Sequence, residues 1–244
     1  MASRPFIFTS DFHLGKGDQA DDFSTNAALT YRNLRLENQD SLFLHLGDLF
    51  DTDCDLSDTL RAHTNLLSYM HISPESKVIP GNHDGDIRWL KAFGMTVYPT
   101  EKIAAVGGHR TLLTHGHLFC KYNKPGTSIG KLITRLVTFL ENNVHKDIDV
   151  TLGRLKNYLD GSIHKFDVAV AARAKQLGCT QAIYGHTHYP KLSVVDDTIV
   201  ANTGTWTHDF NGAGYPVIVA TEDGLSLRWV KPDGTMSFLR GNNS

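Results

Sequence analysis

Five short segments of the sequence are rich in aspartate, asparagine and histidine, and each of them follows a run of apolar residues. In chain order they are Asp11-Phe12-His13, Gly47-Asp48, Gly81-Asn82-His83-Asp84, His115-Gly116-His117 and Gly185-His186-Thr187-His188. Each apolar run has the length of a buried strand. Because ligands collect beyond the carboxyl ends of strands in α/β sheets, we expect the five segments to converge on one place.

The side chains of these segments are metal ligands by type. Carboxylate, amide oxygen and imidazole together suit a borderline divalent ion, and the absence of cysteine from the segments argues against a thiolate zinc site. Asp11 and His13 are two residues apart, as are His186 and His188, so both members of each pair can face one site from a strand end. We expect two divalent metal ions, with Mn first and Fe, Zn, Co and Ni as alternatives.

Two such ions about 3.5–4 Å apart would bind a phosphoryl group and activate a water molecule. A carboxylate would bridge them, a metal-bound hydroxide would be the nucleophile near neutral pH, and an imidazole would protonate the leaving oxygen. The segments therefore indicate a metal-dependent hydrolase of phosphate ester or pyrophosphate bonds.

The elements that must position these residues alternate early and are mostly strands later. Hydrophobic patterns predict strands over 4–10, 41–46, 77–79, 100–114 and 181–184, and helices over 24–36, 56–70, 87–93 and 167–177. Ser24 is a candidate cap for the first helix. This order favours a mixed α/β sandwich over a purely doubly wound sheet.

The region from about 118 to 180 is different in character and is predicted to be a helical insertion covering the site. Apolar residues at helical spacing from Ile129 to Leu140 predict an amphipathic helix. The region holds ten Lys and Arg against five Asp and Glu. The resulting net positive charge suits an anionic substrate, an anionic membrane surface or simply a solvated helix face. The apolar side of the predicted helix suits the core of the insertion, a groove for an acyl chain or a membrane contact.

Composition limits the class of protein. The chain of 244 residues fits a single domain, 1–244, and a net charge of -2 makes a nucleic-acid partner unlikely on electrostatic grounds. The three cysteines are widely spaced and suggest no disulfide framework. No leader or membrane-spanning pattern is evident, so the expected location is cytoplasmic, with peripheral contact at the inner face of the membrane as an alternative. The sequence carries no signal for an oligomeric state.

The five segments, in this order, resemble the calcineurin-like metallophosphoesterase superfamily, whose pattern is D-x-H, G-D, G-N-H-D/E, H and G-H-x-H. One such segment is a weak signal, whereas the ordered set is specific. The resemblance implies a four-layer αββα sandwich. It also implies two ligand sets that share Asp48 as the bridge. The first set is Asp11, His13, Asp48 and His188, and the second is Asp48, Asn82, His115 and His186.

The same resemblance implies catalytic roles for two further residues. His83 corresponds to the family histidine that contacts the phosphate, and its use as general acid or as a phosphate-positioning group stays open at this point. Asp84 would orient His83 as a supporting residue.

A narrower resemblance is to the UDP-2,3-diacylglucosamine pyrophosphohydrolases of lipid A synthesis. It rests on the helical insertion, on Pro190 and on the segment from Asn202 to Trp206. Many of those enzymes have G-N-R-D where this chain has His83, and H-G-D where it has His117. A histidine at position 83 is closer to the general phosphatase and phosphodiesterase pattern.

The expected substrate is a phosphorylated small molecule or a nucleotide-linked compound. The leading function is hydrolysis of a phosphodiester or pyrophosphate bond, with a UDP-sugar lipid as one such substrate. A phosphomonoesterase is the alternative. A nuclease and a scaffold without catalysis are less favoured, because aromatic residues do not interleave with the basic ones and no ligand of the set is missing.

Overall fold

The structure, a computed structural model, describes residues 4–17, 23–51, 55–71, 76–85, 87–119, 163–210 and 212–238. Most of the predicted insertion lies outside these residues, including the amphipathic helix expected from Ile129 to Leu140. In the described part of the chain, no helix is both long enough and apolar enough to cross a membrane.

The amino-terminal half alternates strands and helices, as predicted. Its elements are β1 (Phe6–Thr9), α1 (Thr25–Glu37), β2 (Leu42–Leu46), α2 (Leu56–His71), β3 (Lys77–Ile79), a 3-10 helix (Arg88–Phe93), β4 (Thr96–Val97), β5 (Glu101–Val106), β6 (His109–Thr114) and a 3-10 turn (His117–Phe119). Ser24 caps α1, because its side chain accepts a hydrogen bond from the amide of Ala27 at 3.1 Å.

The carboxyl-terminal half is mainly strands, also as predicted. Its elements are α3 (Ile163–Gln176), β7 (Gln181–Tyr184), β8 (Lys191–Val195), β9 (Thr198–Asn202), β10 (Tyr215–Thr221), β11 (Gly224–Val230) and β12 (Met236–Ser237). The helix expected over 167–177 begins earlier, since Ile163 already lies in α3.

The strands form two sheets. The first has seven strands in the order β12-β11-β10-β1-β2-β3-β4, in which β1, β2, β3 and β4 are parallel neighbours. The second has five strands in the order β5-β6-β7-β9-β8, in which β6, β7 and β9 are parallel. Parallel strands place their carboxyl ends at the same edge of a sheet, so three polar segments follow the first sheet and two follow the second.

Alternating side chains bury both faces of each sheet. Phe8 and Leu113 belong to the core between the two sheets, whereas the adjacent Ile7 and Leu112 belong to the cores on the outer faces. The outer face of the seven-stranded sheet packs against α1 and α2, and that of the five-stranded sheet packs against α3. The predicted four-layer αββα sandwich is therefore confirmed.

The strand ends of both sheets meet at one rim. The amide of Asp11, after β1, donates to the carbonyl of Gly47, after β2, at 3.0 Å. The amide of Gly185, after β7, donates to the carbonyl of His115, after β6, also at 3.0 Å. A Cβ atom on Gly185 would lie 2.6 Å from Asp11 Oδ2, so the two sheets approach each other closely at this point.

Candidate metal centre

Backbone strain is concentrated at the predicted ligands. Five of them have a left-handed backbone without being glycine, namely Asp11 (φ 54°), His13 (49°), Asp48 (52°), His186 (69°) and His188 (57°). Such a conformation costs about 1–3 kcal/mol for each residue and persists only where the surrounding structure imposes it. Among the described residues, the only other non-glycine cases are Asp196 and Asp197, in the turn between β8 and β9.

The first ligand group combines residues from both sheets. His188 Nε2 lies 3.1 Å from Asp11 Oδ1 and 3.1 Å from His13 Nε2. One ligand atom from each of the three residues lies within 4.8 Å of the others. Asp11 is fully buried, and the two histidines are partly exposed. A cation placed among these atoms would therefore be open to solvent or substrate on the histidine side.

The second ligand group joins Asp48, His115 and His186, whose ligand atoms also lie within 4.8 Å of one another. His115 Nε2 is 3.1 Å from Asp48 Oδ2. The other ring nitrogen, His115 Nδ1, lies 2.7 Å from the carbonyl oxygen of Leu46, which can only accept a hydrogen bond. In the neutral ring Nδ1 therefore carries the proton, and Nε2 has the lone pair that a cation would bind.

Asp48 connects the two groups. Its Oδ1 accepts the backbone amide of His83 at 2.8 Å, while its Oδ2 faces His115 Nε2 at 3.1 Å and His13 Nε2 at 3.8 Å. The loop that carries Asn82 and His83 is thereby fastened to the same carboxylate. Gly81 permits this approach, since a Cβ atom there would collide with Asp48 Oδ1.

Several buried polar atoms at the rim lack a hydrogen-bond partner within the described residues. Three of them belong to the predicted ligand sets, namely Asp11 Oδ1, Asn82 Oδ1 and His115 Nε2. Buried polar atoms are nearly always satisfied in folded proteins. All three carry lone pairs and belong to the predicted ligand sets, so this donor set fits divalent cations of the kind expected from the sequence.

Without metal, the charges of the rim perturb one another strongly. Burial alone would lower the pKa of His115, but Asp48 and Asp11 outweigh it and raise the pKa to about 9. Asp11 and Asp48 likewise outweigh burial at His13 and raise its pKa to about 10. Burial and the charge on His115 hold the pKa of His186 well below its usual value. The positive charges of imidazolium groups thus balance the negative charges of the carboxylates at the place where metal ions would bind.

His83 lies beside both groups, and a carboxylate faces it. His83 Nδ1 is 3.5 Å from Asp51 Oδ1, and its ring centroid is 4.9 Å from that of His13. Burial tends to lower the pKa of His83, but Asp48 and Asp51 raise it overall. Asp51 was not among the site residues predicted from the sequence, although its position three residues after Asp48 on the same loop was a usable signal.

Asp84 is buried in the loops that hold the ligands. Its carboxylate accepts four backbone amides at 2.7–2.9 Å, those of Asp48, Leu49, Phe50 and Gly81. These contacts join the loop after β2 to the loop after β3. The orienting role predicted for Asp84 toward His83 stays a prediction.

His117 is adjacent to the second ligand group but belongs to neither group. Its ring centroid lies 5.5 Å from that of His115 and 6.5 Å from that of His186. Burial and the charge on His115 lower its pKa to about 4, so the imidazole is neutral near pH 7.

The fold and the site together define a class of protein. A two-sheet sandwich whose strand ends gather aspartate, asparagine and histidine into adjoining ligand groups is suited to metal-assisted hydrolysis. The family model of calcineurin-like phosphoesterases matches residues 4–190. The chain therefore belongs to the calcineurin-like phosphoesterase family, and it is a metal-dependent hydrolase.

Relatives with assigned names cover most of the chain. Proteins called UDP-2,3-diacylglucosamine hydrolase are 27% identical in Proteus mirabilis, over 78% of this chain and 84% of the relative, and 30% identical in Shewanella piezotolerans, over 76% and 83%. The protein of that name in Photorhabdus laumondii is 26% identical, over 83% and 91%.

Solved structures share the fold at low identity. YfcE, a phosphoesterase from E. coli, superposes with a TM-score of 0.51 at 15% identity, over 95% of this chain and 96% of that one. Vacuolar Protein Sorting 29 from Cryptosporidium parvum gives 0.50 at 15% identity, over 97% and 96%. Because a phosphoesterase and a protein named for vacuolar sorting both match, the fold alone does not indicate the substrate.

Proposed function

We propose that this chain is a two-metal phosphoesterase that hydrolyses a phosphodiester or pyrophosphate bond. The observation that carries the proposal is the position of Asp48 between two ligand groups. Its Oδ2 atom faces His115 Nε2 at 3.1 Å on one side and His13 Nε2 at 3.8 Å on the other.

Two ligand sets follow from this arrangement. Asp11, His13 and His188 would hold one divalent ion, and Asn82, His115 and His186 the other, with Asp48 shared between them. We propose Mn as the native ion, with Fe, Zn, Co and Ni as alternatives. When bound, such ions activate water and neutralise charge that develops on the phosphoryl oxygens.

His83 is the proposed general acid. Its ring lies beside His13, and its ligand atom lies within 4.8 Å of those of His13 and Asp48, so it could reach an oxygen that leaves from this side. Asp51 would hold the ring through Nδ1 at 3.5 Å, which leaves Nε2 to deliver the proton. Asp84 would support this arrangement by joining the loop after β2, which carries Asp48, to the loop after β3, which carries His83.

The proposed substrate is a nucleotide-linked compound with a pyrophosphate bond, with a UDP-linked lipid sugar as the leading example. Support comes from the relatives called UDP-2,3-diacylglucosamine hydrolase, which match along most of their own length. The insertion, with its excess of basic residues, would attract such an anion. We propose that residues 1–244 act as one domain, in the cytoplasm, with peripheral membrane contact through the insertion.

A second candidate is an enzyme acting on a phosphoester without lipid, including a phosphomonoester. The observation that favours it is the His83 imidazole, which lies where many of the lipid A enzymes resembled by this sequence have arginine. An imidazole can donate a proton at neutral pH, whereas an arginine side chain cannot.

The deciding experiment compares three substrates after chelator treatment and return of Mn. They are bis-p-nitrophenyl phosphate, p-nitrophenyl phosphate and UDP-2,3-diacylglucosamine. We expect Mn-dependent cleavage of the UDP-linked lipid into UMP and a sugar 1-phosphate, and of the diester in preference to the monoester. Preference for the monoester would establish the second candidate. Absence of metal-rescued activity on all three substrates would contradict both.

A further inference from the structure

A segment beyond the part of the chain matched by the family model supports the first ligand group. The match ends at residue 190, whereas residues 203–206, which follow β9, lie against Ser10 and Asp11. Thr205 Oγ1 donates to the Asp11 carbonyl at 2.8 Å, and the amide of Trp206 donates to the same oxygen at 3.1 Å. These two bonds hold the backbone of Asp11 in its left-handed conformation.

The two carboxylate oxygens of Asp11 have different partners. Oδ2 accepts the hydroxyl of Ser10 and the backbone amide of His186, the latter at 3.0 Å. Oδ1 has no hydrogen-bond partner among the residues that the structure describes, and it faces His188 Nε2 at 3.1 Å. One oxygen is thus bound to the protein, and the other is presented to the ligand group.

The hydroxyl of Ser10 also contacts Thr203 Oγ1 and lies 3.1 Å from the carbonyl of Gly204. A hydroxyl has one proton, and the charged carboxylate of Asp11 is a stronger acceptor than either neutral oxygen. With that proton given to Asp11, the contact between Ser10 and Thr203 requires Thr203 to be the donor. The bonds therefore run in one direction, from Thr203 to Ser10 to Asp11.

This direction is consistent with the rest of the environment. Ser10, Asp11 and Thr203 are fully buried, so water does not compete for these bonds. The carbonyl of Tyr184 is an alternative acceptor for the Thr203 hydroxyl at 3.2 Å, but Ser10 Oγ is closer to that hydroxyl, at 2.5 Å. Buried hydrogen bonds arranged in series strengthen one another.

We propose that Ser10 and Thr203 are positioning residues for the first metal ion, and this inference rests on the proposed two-metal site. Their hydroxyls orient the Asp11 carboxylate so that it offers Oδ1 alone. In the second ligand group, the carbonyl of Leu46 fixes the ring of His115, and the bond from the His186 amide to Asp11 Oδ2 involves neither hydroxyl. Loss of either hydroxyl should therefore weaken one metal site and leave the other intact.

The test is a titration of the metal-free protein with Mn²⁺, in which binding is measured by calorimetry and by electron paramagnetic resonance. Ser10→Ala and Thr203→Val should lower the affinity of one of two Mn²⁺ sites by about 10–100-fold, the usual effect of removing a support of a metal ligand. At limiting Mn²⁺ these variants should show the spectrum of an isolated ion in place of a spin-coupled pair. Thr203→Ser, which keeps the hydroxyl, should restore the coupled pair.

Thr114→Val is the matched control. Thr114 is also fully buried and lies next to His115, but its hydroxyl has no hydrogen-bond partner among the described residues. This variant should bind both ions as the wild type does. If the wild type binds two ions and Thr203→Val and Ser10→Ala bind them equally well, the positioning role is wrong. If the wild type itself does not bind two ions, the proposed function fails instead.

Discussion

The carboxylate of Asp48 divides its oxygens between the protein and the candidate metal centre. Oδ1 is occupied by the amide of His83, and Oδ2 faces histidines of both ligand groups. An amide side chain could keep the first contact, but it would lack the negative charge that two cations require. The charge of Asp48, rather than its shape, should therefore limit metal binding.

We predict that Asp48→Asn lowers the Mn-dependent rate by at least about 100-fold, more than loss of a supporting residue would. The variant should also bind fewer than two ions, as measured by metal analysis after gel filtration. Asp58→Asn, the same change on the surface of α2, serves as the control. A variant at position 48 with wild-type turnover and two bound ions would refute the shared-ligand assignment.

His83 is predicted to matter most when the leaving group is poor. His83→Ala should slow hydrolysis of an alkyl or phenyl phosphoester by about 100-fold or more, the usual contribution of a general acid, and of a p-nitrophenyl ester much less. Asp51→Asn should show the same dependence with a smaller loss, because Asp51 only orients the ring. Rates for a series of leaving groups measure this. Equal losses across the series would assign His83 to phosphate binding instead.

At the scale of elements, the loops after the strands carry the ligands, and glycine allows them to come close. A Cβ atom on Gly47 would lie 2.6 Å from the ring of His115. Gly108, in the turn between β5 and β6, has a similar left-handed backbone, with φ 79° against 86° for Gly47, but nothing within 4 Å of its Cβ position. A comparison of alanine substitutions at the two positions therefore separates the cost of backbone strain, which both share, from the effect of a steric clash, which only Gly47 has.

We predict that Gly47→Ala and Gly108→Ala both lose about 1–2 kcal/mol of unfolding free energy to backbone strain. Only Gly47→Ala should also weaken Mn²⁺ binding, since it displaces His115. Denaturant unfolding and metal titration of both variants provide the measurement. Unimpaired metal binding by Gly47→Ala would mean that the ring can move without loss of the site.

Helix α3, which lies within the predicted insertion, packs beside the second ligand group. The ring of Phe166 lies 5.8 Å from that of His186, and the fully buried carboxylate of Asp167 accepts the Tyr184 hydroxyl and, at 2.5 Å, the Lys191 ammonium. These contacts bind α3 to β7 and β8 on both sides of His186. Docking of α3 should therefore depend on Asp167.

We predict that Asp167→Asn lowers the unfolding free energy by about 2–3 kcal/mol, because the Lys191 charge and the Tyr184 hydroxyl lose their charged acceptor. Glu101→Gln, at the start of β5, is the control for another contact of the same helix. It breaks a partly exposed pair with Arg173 and should cost much less. Urea unfolding of both variants decides the point, and comparable losses would show that burial does not strengthen the Asp167 contacts.

At the scale of the whole molecule, the metal-free centre makes stability depend on pH. The folded pKa values of His13 and His115, about 10 and about 9, lie above the ordinary 6.5. The folded state thus binds more protons than the unfolded state between these values. The stability that these histidines contribute is fully present below pH 6.5 and is lost as the pH rises through 9 to 10.

We therefore predict that the metal-free protein becomes less stable as the pH rises from about 7 to 9. Mn²⁺ displaces protons from its ligands, so its apparent affinity should rise about tenfold per pH unit for each proton displaced. The increase in Tm on adding Mn²⁺ should accordingly be larger at pH 8.5 than at pH 6.5, as measured by calorimetry. A Tm increase that is independent of pH would contradict the assignment of His13 and His115 as ligands.

Much of the fold was predictable because apolar strands and polar strand ends are local features. The strands before Asp11, Asp48 and His115 were predicted from short apolar runs, and the helix after Ser24 from its spacing and cap. The short helix predicted over 87–93 forms as a 3-10 helix from Arg88 to Phe93, which is capped by Gly94. The pairing order of the strands was not predictable from local patterns, since it depends on contacts between distant segments.

The types, order and spacing of the polar segments were enough to indicate a hydrolase of phosphoric esters, because each segment follows a strand and each residue type is a metal ligand. Tertiary structure alone decided how those residues are used. It placed Asp51 against the ring of His83, and it bound Asp11 through Ser10 to Thr203, which lies 193 positions from Ser10. The reason is physical, since hydrogen bonds act over about 3 Å in space and local sequence patterns do not record which distant residues meet.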